Sequence, residues 1–351
     1  MARNRNTSSE NEKLPSLFDN ELPIYEPIRR HAEAMIKLRE NTDNDDTTDS
    51  GSSLADDPVM LHNDATDDRI YFISFGSGSS GNCSYIGDRK TGFLIDAGID
   101  GKQVTDELKR HGIEMTAVKG ICLTHDHGDH VRYAYSILRN NRHIGLYCTP
   151  RTLNGLLRRH SISRRIKDYH KAIYKEFTFE IGAFSITAFD VMHDGTDNAG
   201  FFIEHGSLRM AVATDLGCIS PRVDHYMRQS NFIVIESNYD LPMLMAGTYP
   251  DYLKARIVAT NGHLDNDDAA RYISSIYSKE LRYVFLCHLS HDNNTPDKAI
   301  AAHTKALEPH NIAIGDGTRE LTTDLQLIAL PRYEATAMYV LRMPPQPVVV
   351  Q

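Results

Sequence analysis

A cluster of metal-binding side chains follows a short apolar run in the first half of the chain. Residues 124–130 read Thr-His-Asp-His-Gly-Asp-His, directly after an apolar segment, residues 120–123, that has the character of a buried strand. Imidazole and carboxylate together suit zinc or manganese, and their alternation after a strand lets neighbouring side chains face two different ions. A histidine-rich, solvated turn is the alternative. The cluster predicts a fold in which a strand end carries a metal-binding loop.

Three further candidate ligands each follow a predicted strand. His193, Asp215 and His288 come after residues 186–191, 210–214 and 283–287. A lone His or Asp at such a place is usually structural, but strand ends hold side chains as rigidly as a preorganised metal site requires. Together with the cluster, these residues predict a site for two divalent metal ions (Zn or Mn). The predicted ligands are His125, His127 and His193 for one ion, Asp129, His130 and His288 for the other, and Asp215 as the bridge.

Such a site has a defined chemistry. Two metal ions roughly 3.5 to 4 Å apart can share a hydroxide, lower its pKa and stabilise both the attacking and the leaving oxygen. We therefore count Asp129 and Asp215 among the predicted catalytic residues as well as among the ligands. The charge distribution points to an anionic substrate: residues 1–68 carry 16 Asp and Glu against 7 Lys and Arg, whereas the rest of the chain has 31 of each. A neutral body with two bound dications presents a positive field at its active site.

The sequence divides into three predicted parts. Residues 1–68 form an acidic, largely disordered extension, because residues 41–57 hold six carboxylates and too little apolar surface to offset the entropy of ordering. Within it, residues 28–40 have the spacing of a short helix, and the apolar residues 14–18 are a candidate docking segment for a partner protein, with an inert tail as the alternative. Residues 69–330 form the folded domain, and residues 331–351 form a loosely held tail.

The cysteines and the hydropathy predict a reduced, cytoplasmic protein. The five cysteines show no paired spacing and mostly fall in apolar runs. No apolar run approaches the roughly 20 residues that span a bilayer, so we predict no membrane association. The sequence does not define the oligomeric state.

From residue 70 onwards, short β-branched and aromatic runs alternate with helical stretches. This pattern predicts an α+β fold, with two sheets packed face to face and helices outside. The predicted strands are residues 70–75, 83–86, 92–95, 120–123, 145–148, 177–180, 184–189, 200–204, 209–214, 232–236 and 282–287. The predicted helices are residues 102–111, 134–140, 151–159, 250–260, 266–277 and 296–307.

With these segments in place, the chain resembles the metallo-β-lactamase-fold hydrolases, and among them the YycJ/VicX/WalJ group of bacterial phosphodiesterases. The resemblance covers residue 70 to about 310 and rests most specifically on residues 77–83, Ser-Gly-Ser-Ser-Gly-Asn-Cys, and residues 262–264, Gly-His-Leu. It implies an αββα sandwich (two mixed sheets face to face, helices outside) and a dinuclear site. It also implies phosphodiesterase or exonuclease activity on nucleic acid, DNA more than RNA, with a link to DNA repair.

The resemblance assigns a role to His263. In related tRNA-maturation and β-CASP nucleases, a histidine at a comparable place protonates the leaving oxygen, which a His can do near neutral pH. The resemblance thus implies that His263 is the general acid, and a histidine that only packs in a capped turn is the alternative. Asp265 stands where the family usually has Ser, and Tyr239 where it often has His, so substrate preference can differ from that of the family.

Two further sets of residues are candidate substrate contacts. Small hydroxyl and amide donors of a Gly-rich loop and of two later loops are candidates for phosphate oxygens, although such loops are most often only turns: Ser77, Ser79, Ser80, Asn82, Asn238, Ser290 and Asn294. A basic segment with one acid, Asp168, is the candidate for tracking a nucleic-acid backbone, and a solvated basic face is the alternative. Its candidate nucleic-acid contacts are Arg158, Arg159, Arg164, Arg165 and Lys167.

Competing functions share the same ligands. Asp215 and His130 argue against lactam hydrolysis, because zinc β-lactamases typically have Cys in place of the bridging Asp and lack the second His of the cluster. A thioester or ester hydrolase of the glyoxalase II type has the same ligands throughout. A non-catalytic regulatory protein is the third interpretation. The leading prediction is a dinuclear phosphodiesterase, a DNA or RNA exonuclease that uses a metal-bridging hydroxide and His263 as the acid.

Overall fold

The computed structural model describes residues 69–318 and 323–343. These residues form two β-sheets. The first sheet has the strand order β15 (Tyr339–Leu341), β1 (Ile70–Gly76), β2 (Cys83–Gly87), β3 (Gly92–Ile95), β4 (Val118–Cys122), β5 (Gly145–Cys148) and β6 (His170–Ala172). The second has the order β13 (Ile314–Gly315), β14 (Leu325–Ala329), β12 (Tyr283–Cys287), β11 (Phe232–Glu236), β10 (Leu208–Ala213), β9 (Ala199–His205), β8 (Phe184–Asp190) and β7 (Thr178–Ile181).

Parallel pairing brings particular strand ends to one edge of each sheet. In the first sheet β3, β4, β5 and β6 run parallel, and in the second sheet β10, β11, β12 and β14 do so. The carboxyl ends of neighbouring parallel strands meet at the same edge, where open α/β sheets typically bind ligands. The loop after β4 and the residues after β10, β11 and β12 therefore lie where a shared site can form.

Helices cover the outer face of each sheet. The described α-helices are α1 (Gly101–Arg110), α2 (Gly128–Val131), α3 (Ala134–Asn140), α4 (Pro150–Arg159), α5 (Pro221–Met227), α6 (Leu241–Ala246), α7 (Asp251–Ile257), α8 (Asn266–Ile276) and α9 (Pro296–Leu307). Buried residues of α1, α2, α3 and α4 pack on the first sheet, and those of α5, α8 and α9 pack on the second. A third cluster, which includes Phe72, Phe201 and Phe285, joins the inner faces of the two sheets.

These three apolar layers make an αββα sandwich, which confirms the predicted fold class. Each α-helix is too short to be stable alone and is held by its apolar face against a sheet. Side-chain caps fix several starts, for example Thr149 before α4 and Asp265 before α8. No helix within residues 69–318 and 323–343 is long and apolar enough to cross a membrane, and none of the five cysteines forms a disulfide.

The eleven predicted strands and six predicted helices are all present, with ends that shift by up to three residues. The prediction missed α2, α5 and α6, and it missed the edge or near-edge strands β6, β13, β14 and β15. The last of these corrects the predicted tail: Tyr339–Leu341 pairs antiparallel with β1, so this part of residues 331–351 belongs to the first sheet. The predicted helix at residues 28–40 and the docking segment at residues 14–18 lie outside the described residues.

Candidate metal centre

The His loop, residues 124–130, leaves β4 and folds back against the loop after β3. The backbone N–H groups of Ala97 and Asn82 donate to the carbonyls of His130 and Asp129, at 2.7 and 2.8 Å. A Cβ on Gly98 would lie 1.6 Å from the Asp129 carbonyl oxygen, so only glycine permits this approach. The backbone at residues 82 and 97–98 therefore contacts the His loop directly and fixes its position.

The second sheet supplies three more of the predicted side chains. His193 lies three residues beyond the end of β8, and its Nδ1 donates to the Gly262 carbonyl at 2.9 Å. Asp215 and His288 follow β10 and β12 and are buried. His288 has φ of 53°, in the left-handed region that non-glycine residues seldom adopt, and its backbone N–H donates to Ser77 Oγ at 2.9 Å. Such strain is typical of residues held for function.

The structure brings all seven predicted ligands together. Four groups of candidate ligand atoms each lie within 4.8 Å of one another. One group is His125, His127 and His193, a second is Asp129, His130 and His288, a third is His125, His130 and Asp215, and the fourth is Asp215, Glu236, His263 and His288. Asp215 faces both of the first two groups: its Oδ2 lies 3.2 Å from His130 Nε2 and its Oδ1 lies 3.6 Å from His193 Nε2.

Unpartnered polar atoms show that this arrangement fits a metal ion. Four buried ligand atoms have no hydrogen-bond partner: Nε2 of His125, Nε2 of His193, Nε2 of His288 and Oδ2 of Asp215. A buried polar atom without a partner costs about 1 to 3 kcal/mol. Here the unpartnered atoms converge, and nitrogen and carboxylate oxygen form a normal zinc or manganese donor set.

The electrostatics of the site favour bound cations. Burial and the neighbouring His130 hold the pKa of His125 well below its usual value, so this ring is neutral, as a ligand must be. For His288, burial alone would lower the pKa, but Asp215, Asp129 and Glu236 outweigh it and raise the pKa to about 10. The carboxylates that favour a proton on this ring also favour a divalent cation in its place.

Two buried carboxylates orient the ligand rings by accepting hydrogen bonds from their Nδ1 atoms. Asp96 accepts from His130 Nδ1 at 2.7 Å and from the Thr124 backbone N–H at 2.8 Å. Glu236, to which the sequence pattern assigns no role, accepts from His288 Nδ1 and His263 Nδ1, each at 2.8 Å. Carboxylate partners of this kind fix the tautomer of a ligand ring and raise its basicity. The available signal for Glu236 was a lone acid at the end of a wholly apolar strand.

His263 lies beside the ligand rings. Its ring centroid is 5.0 Å from that of His193 and 5.3 Å from that of His288. Burial would lower its pKa, but the adjacent Glu236 carboxylate raises the pKa above the usual histidine value. Because Nδ1 donates to Glu236, the other ring nitrogen is left for a second partner.

A cavity of about 230 Å³ opens onto His263 and His288. Three of the predicted substrate contacts line it, namely Ser79, Asn238 and Ser290. Its wall also contains Tyr249, Arg256 and Arg332 from segments without a predicted role. The predicted ligand His288 and the predicted acid His263 are therefore open to this cavity.

Four predicted substrate contacts do not line this cavity. Ser77 is buried and holds the His288 backbone, and the Asn82 side-chain amide contacts Asp129 at 3.2 Å. Asn294 is buried, contacts the Asn266 side chain and donates to the carbonyls of residues 237 and 238. Ser80 Oγ is buried without a partner. These four side chains lie outside the lining of this cavity, and their role as substrate contacts stays a prediction.

The five predicted nucleic-acid contacts of the basic segment lie in three different environments. Arg158, Arg164 and Lys167 line a second cavity, whereas Arg159 lies 3.4 Å from the buried Asp126 and Arg165 is exposed outside that cavity. Of the five predicted nucleic-acid contacts, three therefore line a cavity, one forms an ion pair with a buried carboxylate, and one is exposed elsewhere on the surface.

Comparison with known proteins agrees with this fold. Residues 91–288 match the family model described as Beta-lactamase superfamily domain. The chain is 30% identical over 261 residues to a Bacillus anthracis protein named exodeoxyribonuclease YycJ, covering 73% of this chain and 96% of that protein. It is 28% identical over 242 residues to exodeoxyribonuclease WalJ of Streptococcus pneumoniae serotype 2 strain D39, covering 68% and 88%.

A solved structure shows the same fold. The metallo-beta-lactamase fold protein YhfI from Bacillus subtilis superposes with a TM-score of 0.54 at 12% identity, over 76% of this chain and 99% of that one. The chain belongs to the metallo-β-lactamase superfamily and is a metal-dependent hydrolase. Within the superfamily it groups with the YycJ and WalJ proteins.

Proposed function

We propose that this chain is a dinuclear metal-dependent exodeoxyribonuclease. The observation that carries the proposal is the convergence of unpartnered ligand atoms from both sheets. His263, which is hydrogen-bonded to the Glu236 carboxylate, lies beside them. The names of the two relatives supply the substrate class, since both are called exodeoxyribonucleases. A link to DNA repair belongs to the same proposal.

The ligand assignment follows the groups of neighbouring atoms. His125, His127 and His193 would hold one divalent cation, and Asp129, His130 and His288 would hold the other. Asp215 would serve both, because one carboxylate oxygen faces each group. When bound, the two cations supply an activated water nucleophile and stabilise negative charge on the attacking and leaving oxygens. Asp96 and Glu236 hold the rings in the orientation that keeps Nε2 turned towards the site.

His263 is the proposed general acid. Glu236 fixes its Nδ1–H and raises its pKa above the usual histidine value, which favours the protonated ring. The other nitrogen then carries the proton that a departing deoxyribose oxygen needs. His263 also falls within the fourth group of candidate ligand atoms. Metal content must therefore be measured when its role is tested.

The deciding experiment is hydrolysis by chelated protein to which Mn²⁺ or Zn²⁺ is added back. The substrates are bis(p-nitrophenyl) phosphate, DNA labelled at either end, and matched RNA. We expect metal-dependent release of mononucleotides from DNA and slower attack on RNA, and the labelled end that disappears first gives the polarity. Products of intermediate length at early times would show endonuclease activity instead.

The two competing functions are measured alongside. Turnover of S-lactoylglutathione by a fully metallated protein that leaves both phosphodiesters intact would assign it to the thioester hydrolases. If no substrate is turned over and Asp215→Ala still complements a deletion strain, a regulatory role replaces the catalytic one.

A further inference from the structure

A second cavity, which we call the basic pocket, lies beside the His loop. It has a volume of about 530 Å³ and is lined by four cationic side chains together with Asn154, Leu157 and Thr196. The four are Arg151, Arg158, Arg164 and Lys167. No carboxylate is among its lining residues, so the pocket is a concave concentration of positive charge on a chain whose net charge is −9.

Local structure explains how the sequence assembles this pocket. On α4, Arg151, Asn154 and Arg158 have the i, i+3, i+7 spacing that places them on one exposed face, while Leu153 and Leu156 are buried against the first sheet. The next segment is a 3₁₀-helix, residues 164–169. Because a 3₁₀-helix has three residues per turn, Arg164 and Lys167 point the same way.

The pocket cations differ from the basic residues around them. Neighbouring basic residues do have acidic partners: Arg159 lies 3.4 Å from Asp126, and Lys175 lies 2.6 Å from both Asp190 and Asp197. Within the described part of the chain, none of the four pocket cations forms an ion pair. Uncompensated arginine forks in a concave site match the geometry of a phosphate, which they can bind through two parallel hydrogen bonds.

The basic pocket and the metal centre share the His loop. Thr196 lines the pocket, and its backbone N–H and hydroxyl donate to Asp126 at 3.0 and 2.6 Å. Asp126 stands between His125 and His127 in the sequence and is fully buried. The residue before Thr196 is Gly195, where a Cβ would lie 3.2 Å from the His125 side chain. One short stretch of chain thus has the pocket on one side and the proposed ligands on the other.

We propose that the basic pocket binds a phosphate group of the same DNA strand whose scissile phosphodiester lies at the metal centre. This inference rests on the proposed exodeoxyribonuclease function and adds a second anchoring point for the substrate. A strand held at both places presents its next phosphodiester at high effective concentration. The phosphate is either a strand terminus or an internal backbone group, and strands with different ends separate these two sources.

The test uses the full chain in its metal-loaded form and the double variant Arg158→Ala/Arg164→Ala. The matched control is Arg142→Ala/Lys119→Ala, which removes two exposed cations near the amino-terminal ends of β5 and β4, away from the His loop. Binding is measured by fluorescence anisotropy with a short single-stranded DNA that carries cleavage-resistant phosphorothioate linkages. Three forms are compared: 5′-phosphate, 3′-phosphate, and hydroxyl at both ends. Thermal melting verifies that each variant is folded.

We expect the pocket variant to weaken binding by about tenfold. We also expect it to flatten the dependence of log Kd on log salt by roughly 0.7 for each phosphate that the variant no longer neutralises. An equally weakened affinity for all three strands identifies an internal phosphate. A weakening confined to one phosphorylated end identifies a terminal one. Binding and salt dependence equal to those of the control variant would overturn the inference.

Cleavage of an unmodified strand is measured in parallel. A raised KM with unchanged kcat supports the pocket as an anchoring site. If the wild type binds DNA through the pocket but hydrolyses no phosphodiester, the proposed function fails and the binding site stands. If wild type and pocket variant bind and cleave alike, the site fails and the proposed function stands.

Discussion

Replacing Glu236 by glutamine tests the organisation of the whole centre with one atom exchanged. The carboxylate accepts from His263 Nδ1 and His288 Nδ1 at 2.8 Å each, and its second oxygen accepts from the backbone N–H groups of Leu216 and Leu264 at 2.8 and 3.1 Å. Glutamine keeps the shape of glutamate but has no charge. Its NH₂ group would face either the two ring N–H groups or the two backbone N–H groups, which are themselves donors. Hydrogen bonds to charged groups contribute about 1.5 to 3 kcal/mol each.

If weakening the two hydrogen bonds to the rings costs about 3 kcal/mol in the transition state, kcat falls by about 100-fold. The pH dependence changes as well. Burial lowers the pKa of His263, and the Glu236 carboxylate raises it. Without the Glu236 charge the effect of burial is no longer opposed by that carboxylate, so the pKa of His263 falls. Because the acid must be protonated, the alkaline limb of the kcat profile moves to lower pH.

The assay is kcat against pH on bis(p-nitrophenyl) phosphate, with bound metal measured by mass spectrometry. Glu180→Gln is the control, since Glu180 is exposed on edge strand β7 and its carboxylate accepts from the Ser185 hydroxyl, not from a ring of the metal centre. A wild-type kcat together with an unmoved alkaline limb in Glu236→Gln would refute the positioning role and the acid assignment that depends on it.

Other perturbations have equally definite outcomes. Asp215→Ala should abolish turnover and deplete bound metal, whereas His263→Ala should lower turnover with metal retained; metal loss in the latter would show that His263 is a ligand. Gly98→Ala should weaken metal binding and lower Tm, because its Cβ meets the Asp129 carbonyl, and retained metal affinity would contradict the close approach. Burial lowers the pKa of His303 to about 4, below the usual value of about 6.5. The free energy of unfolding should therefore fall by up to about 3 kcal/mol from pH 6.5 to 4, and denaturant titration should show a smaller fall in His303→Leu.

The sequence predicted the strands that have a strong local signal, and it singled out side chains after them that the structure brings together. A β-branched run that is buried on both faces, such as Phe232–Glu236, is recognisable without any partner, and a His or Asp directly after such a run is conspicuous. The missed strands have no such signal. β6 is polar and largely exposed, and it is a strand only because β5 offers hydrogen bonds. Edge strands of this kind are defined by their neighbour and not by their own composition.

The predicted substrate contacts that do not line the cavity have a different cause. Ser77 and Asn294 sit in polar loop sequences that look accessible, and nothing local reveals that two loops from different sheets close over them. Glu236 could not be recognised from its sequence neighbours, because its partners lie 27 and 52 positions away. Residue type predicts what a side chain can do, whereas its assignment to a ligand, a brace or a substrate contact depends on long-range packing.

The strand β15 has a practical consequence for any shortened form of this protein. Tyr339 places its ring 5.1 Å from Phe285 of the second sheet, and its strand covers the free edge of β1. A truncation at the end of the matched family region, or at residue 330, removes both features and leaves a row of unpaired backbone groups next to apolar side chains. Edges of that kind recruit other chains. Expression boundaries should extend at least to residue 343, because a shorter fragment is expected to self-associate or aggregate even with every ligand present.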